Sequence, residues 1–131
     1  MRQINSRLLQ NKAMNDNTYH LRRQVMSFIY EAKKLIDLPR IEVRVTNNHE
    51  NILGVAYMGK NVIFISERAV LSRAVVFHEI LHAVFSIDHV NDCPLMGMSI
   101  DLDNPLNDNE CNRLFLMYAN QKKKVKQYAT I

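Results

Sequence analysis

The chain has 131 residues, with 17 Lys and Arg against 13 Asp and Glu and a formal net charge of +4. That length fits one domain able to build its own core, and the two cysteines, Cys93 and Cys111, could pair but make no disulfide framework. No apolar run is long enough to span a bilayer, and Met1-Arg2-Gln3-Ile4-Asn5 opens no secretory leader, so the chain is expected in the cytoplasm or with a leader already removed.

Residues 1–16 are polar and read as a flexible segment, leaving 17–131 as the single domain. A helix is expected to start near Asn17-Thr18, both good caps, and to stop before Pro39. Leu21, Val25, Phe28, Ile29, Ala32, Leu35 and Ile36 recur at helical spacing and form one buried face. Alternation in Ile41-Glu42-Val43-Arg44-Val45-Thr46 predicts a strand, and Asn47-Asn48-His49 a turn. Two more strands follow, at 52–57 and 62–65, joined by a hairpin through Met58-Gly59-Lys60-Asn61. The result is a short mixed sheet, rich in antiparallel pairing, in an α+β fold.

A second helix is predicted from Glu67 or Arg68 to Phe85. Val70, Ala74, Phe77, Leu81 and Val84 make one apolar stripe, and Leu71, Val75, His78, His82 and Phe85 a second, so this helix is mostly buried. Asp101, Asp103, Asn104 and Asp108 read as loop and capping residues, because their spacing matches no calcium loop. A last helix opens at Asn109-Glu110 with Cys111, Leu114, Phe115 and Tyr118 on one face. Lys122, Lys123, Lys124 and Lys126 read as a solvated helix end; no aromatic residues interleave with them, so nucleic acid is not the expected partner. His20 and His49 are isolated and read as surface or turn residues.

The chemistry lies in His78-Glu79-Ile80-Leu81-His82. Four helical residues advance about 400°, so the two imidazoles stand roughly 40° apart on one face and can grip one metal ion. Glu79 is turned about 100° from His78, close to the metal yet free to handle a proton. A carboxylate on a buried helix is costly unless paired, and a nearby cation removes that cost. Catalytic zinc takes three protein ligands and an open water position. The nearby candidates for the third ligand are His89 and, as the alternative, Asp88.

With these residues the chain resembles the metzincin clan of zinc endopeptidases, over about residues 62–98. That signature continues from the first two histidines to a glycine in eighth place, a third His or Asp in eleventh, and a methionine turn. Here Phe85 is eighth, Asp88 eleventh and His89 twelfth. Phe resists the left-handed backbone that glycine permits, so the helix is expected to leave by a different path, with one inserted residue aligning Ile87-Asp88-His89 with the Leu-Asp-His run of matrixin-like members. His89 is then the ligand and Asp88 orients a neighbour; the reverse assignment resembles snapalysin-type members. Cys93-Pro94-Leu95-Met96-Gly97-Met98 looks like the methionine turn, with Met96 as the apolar floor and Met98 in reserve.

The resemblance implies a zincin-like domain with Zn²⁺ on His78, His82 and His89, Glu79 as general base, and a polypeptide substrate lying along the sheet edge. Leu53-Gly54-Val55-Ala56, Val62-Ile63-Phe64-Ile65-Ser66 and the His-Glu helix also look like the SprT-like intracellular zinc proteases, which act near DNA. A non-enzymatic module is the third possibility, with zinc closed by a fourth ligand such as Cys93 or Asp88.

Overall fold

The structure, a computed structural model, describes the backbone of residues 2–47 and 51–130 and the side chains of 18–47 and 51–121. The fold is α+β: helix α1 (Arg2–Leu35), strands β1 (Glu42–Thr46), β2 (Gly54–Tyr57) and β3 (Val62–Ser66), a 3₁₀ turn (Glu67–Ala69), and helices α2 (Arg73–Phe85) and α3 (Asp108–Thr130). No helix is long and apolar enough to cross a membrane among the residues described. His49 and the side chains of the lysines after Gln121 lie outside the described residues.

Helix α1 begins at Arg2, not at Asn17-Thr18. No Gly or Pro occurs before Pro39, so nothing in this stretch punctuates the helix. It buries Val25, Ile29 and Ala32 on one face, as the periodicity predicts, and Ile36 is buried just past its end. His20 is exposed.

The sheet order is β1-β3-β2, with β1 parallel to β3 and β2 antiparallel to it. The predicted hairpin joins β2 to β3, and Gly59 takes the turn at φ +76°. That hairpin occupies one edge of β3, so β1 can pair only with the other, where the two strands run in the same direction. Antiparallel pairing is therefore one of two ladders, not the dominant pattern. The register aligns Val43, Ile63 and Ala56 in one row and Val45, Ile65 and Gly54 in the next. Ile63 and Ile65 in these rows are fully buried beneath the helices.

Helix α2 is the axis of the core and touches α1, α3, β2 and β3. Its residues from Ala74 to Ala83 are all buried. It starts later than the apolar stripes suggest. Ser66 caps a separate 3₁₀ turn, and Ser72 accepts a hydrogen bond from Val75 N (3.1 Å) to begin the α-helix. Leu71, placed by spacing on a buried stripe, falls in the intervening turn and is 74 % exposed. Arg73 then ties three helices together: its guanidinium lies over the rings of Phe28 and Phe77, pairs with Asp108 (3.3 Å) and donates to Asn112 (3.2 Å). On α3, capped by Asn107 (2.8 Å to Glu110 N), Phe115 stacks against Phe77 with ring centroids 4.6 Å apart. Substituting Ser72→Ala should lower stability to urea by about 1 kcal/mol, with Ser72→Asp close to the parent, measured by equilibrium unfolding.

Candidate metal centre

His78 and His82 stand one turn apart on α2, both nearly buried. Each ring is oriented by a main-chain carbonyl from the segment beyond the helix. His78 Nδ1 lies 2.6 Å from Leu95 O, and His82 Nδ1 lies 2.5 Å from Ile87 O. A carbonyl oxygen only accepts, so both Nδ1 atoms carry the proton and donate. Burial, aided by the neighbouring histidines, pushes His78 down to about 4, against the hydrogen bond to Leu95 that favours its charged form. Burial lowers His82 as well. Both rings are thus neutral near pH 7, with bare lone pairs on Nε2. Those two Nε2 atoms face each other at 2.9 Å with no proton between them. Two lone pairs at that distance repel unless a cation sits against both, so the donor set fits a metal ion.

His89 completes the group. Its ring centroid lies 5.2 Å from that of His78 and 4.8 Å from that of His82. One ligand atom from each of His78, His82 and His89 falls within 4.8 Å of the others. Asp88 is exposed and does not join this group, although its charge acts on His82. The cause is the helix exit. Phe85 remains helical, and Ser86 takes the left-handed conformation (φ 53°, ψ 37°), with its N–H bonded to His82 O. Counting His78 as first, the left-handed residue is ninth and the third histidine twelfth, each one place later than in the signature the sequence resembles. The hairpin clamps this exit, because Gly59 N donates to Ala83 O (2.7 Å).

Glu79 is 3 % exposed, and its Oε2 has no hydrogen-bond partner. Burial raises its carboxyl to about 7, which poises it to hold or release a proton near neutral pH. Its Oε1 is 3.9 Å from His78 Nε2, a contact that is not an ion pair because His78 is neutral. Gly54, on the inner row of β2, makes room for it: a Cβ there would meet Glu79 Cγ at 2.9 Å and Oε2 at 3.1 Å. The sequence marks Gly54 only as part of a strand, so its fit against Glu79 was not visible there.

Residues 90–97 form a tight turn, with Val90 N bonded to Met96 O (2.7 Å) and Gly97 N to Cys93 O (2.9 Å). Gly97 is required there, since a Cβ would lie 2.7 Å from Cys93 O. Met96 is fully buried, whereas Met98 is 83 % exposed. Cys93 and Cys111 are free thiols, not a pair. Cys93 Sγ accepts hydrogen bonds from Tyr118 OH (3.2 Å) and Met96 N (3.3 Å). Burial pushes the Cys111 thiol up to about 12, which keeps it neutral and unreactive.

The histidines and Glu79 open onto a cleft of about 560 Å³ bordered by Gly54–Ala56 of β2 on one side and Gly97–Ile100 on the other. No family model matches the chain, and neither a curated protein nor a solved structure does. The metal-binding capacity therefore stands on the geometry alone. In the protein stripped with chelator and titrated with zinc, His89→Ala should weaken binding by at least about 100-fold, and Asp88→Ala by less than about tenfold. Competition with a chromogenic chelator measures both.

Proposed function

We propose that this protein is a zinc-dependent endopeptidase of metzincin type. The observation that carries the reading is the convergence of two deprotonated Nε2 atoms and a third imidazole beside a buried, unpartnered carboxylate on an open cleft. His78, His82 and His89 would hold the ion. A bound zinc supplies Lewis acidity, lowering the pKa of a water toward ~7 and polarising a carbonyl.

The remaining work belongs to the chain. The carbonyls of Leu95 and Ile87 hold the two ring tautomers, so Nε2 and not Nδ1 faces the ion. Glu79 takes a proton from the attacking water at Oε1, the oxygen 3.9 Å from His78 Nε2, and returns it to the leaving amine. Gly54 leaves the room that carboxylate occupies, since a Cβ there would meet Glu79 Cγ at 2.9 Å. Strand β2 is the sheet edge next to the cleft, and its outer main-chain groups suit a peptide lying extended beside it.

The protein loaded with zinc should cleave unfolded casein, and Glu79→Gln should bind zinc equally but cut at least about 1,000-fold more slowly. Equal rates for the two proteins would remove Glu79 from the mechanism.

One observation favours the SprT-like reading. The outer face of α1 carries Tyr19, Arg22, Arg23, Tyr30 and Lys34 around a groove of about 630 Å³. Arg23 lies over the Tyr19 ring, and Lys33 over that of Tyr30. Exposed rings interleaved with cations suit single-stranded nucleic acid. On that reading single-stranded DNA stimulates casein cleavage, and Tyr19→Ala with Tyr30→Ala abolishes the stimulation without altering the basal rate; an unchanged rate on adding DNA leaves the general endopeptidase.

A further inference from the structure

The cleft inverts the charge balance of the chain. Lys and Arg outnumber Asp and Glu by 17 to 13 overall, yet among the described residues none of the cleft-lining side chains is Lys or Arg. Its charged members are Glu79, already committed to proton transfer, and Asp88. Asp88 is exposed, stands next to His89 in the chain and stays outside the group of converging imidazoles. It is therefore free to meet a ligand.

Among the described residues the rest of the rim carries no Asp, Glu, Lys or Arg. Ile52 and Val55 line one side, each 42 % exposed, with Met58 at 46 % and Met98 at 83 %. These four account for half of the eight exposed large hydrophobic side chains among the described residues, so apolar surface is concentrated here. Methionine is unbranched and adaptable, and an apolar rim with two of them accepts many neutral side chains with little discrimination. Charge is the property on which this cleft can discriminate.

We propose that Asp88 is a specificity-determining residue that selects polypeptide segments carrying Lys or Arg beside the scissile bond and disfavours acidic ones. This rests on the endopeptidase reading. The zinc ion of the endopeptidase reading adds positive charge at the imidazoles, so the preference is local to Asp88: there an acidic side chain meets a like charge and a basic one an opposite charge, with no Lys or Arg among the described lining residues. For such a solvated pair the expected discrimination is modest, about fivefold in each direction, and it falls as salt screens the pair.

The test uses the full chain loaded with zinc and three fluorogenic peptides, alike except for one Arg, Gln or Glu stepped along the sequence. Both kcat/KM and competitive binding are measured. At one position the order should be Arg above Gln above Glu, with the Arg to Glu ratio falling in high salt. Asp88→Asn should bring that ratio to within about twofold while zinc content is unchanged. Equal handling of the Arg and Glu peptides at every position would overturn the proposal, as would a ratio that survives Asp88→Asn. Loss of zinc in Asp88→Asn would overturn it too, by making Asp88 a ligand. Preferential binding of the Arg peptide without cleavage would uphold the charge preference and remove the endopeptidase reading.

Discussion

Two hydrogen bonds govern the centre, those from the Nδ1 atoms of His78 and His82 to the carbonyls of Leu95 and Ile87. An imidazole has two nitrogens and can bind metal through either, so a pair of histidines on a helix does not by itself define a site. The carbonyls remove that freedom by accepting a hydrogen bond from Nδ1, which keeps the proton there and leaves Nε2 of both rings bare and converging. Neither carbonyl belongs to α2. Both come from the segment after the helix, so the path of residues 86–97 is part of the metal centre even though only His89 in it is a candidate ligand.

That dependence explains the strict local geometry of the segment. Ser86 must adopt the left-handed conformation to turn the chain back, and Gly97 must lack a Cβ to close on Cys93 O. Gly59 N, bonded to Ala83 O, fixes the end of α2 from the hairpin side. Leu95 and Met96, fully buried, anchor the turn in the core. Two segments, the hairpin and residues 86–97, thus hold one helix end, and the ring orientations follow from it. Helix α2 in turn carries a cost that packing cannot remove: Glu79 is buried with one oxygen unpartnered. Such a group weakens the fold unless a partner or ion meets it, and it lines the cleft.

The sequence made much of this visible. The histidine spacing placed both rings on one face, and Phe85 in the glycine position implied a displaced helix exit, which Ser86 supplies one residue later. Gly59 marked the hairpin correctly. What stayed hidden depends on partners distant in sequence. The parallel pairing of β1 with β3 follows from which edge the hairpin leaves free, not from any property of β1. Leu71 has the spacing of a core residue, but Ser72 starts the helix after it, and a cap overrode periodicity. The nearness of Gly54 to Glu79 arises from sheet register, and the role of Leu95 O is carried by a main-chain atom whose residue identity says nothing about it.

Whether such a centre is structural or catalytic turns on its fourth side. A structural zinc site is closed by protein ligands all round. The thiol of Cys93 is the nearest soft donor in sequence, but its sulfur is engaged by Tyr118 OH and Met96 N, and it does not join the imidazole group. Asp88 is also outside that group. Among the described residues the converging donors are three histidines, two nearly buried and the third exposed at the cleft. An ion held this way would face the cleft on its remaining side, with Glu79 Oε1 3.9 Å from His78 Nε2. The endopeptidase reading needs that open side, and it is supported over a closed structural site by the lack of a fourth converging protein ligand among the described residues.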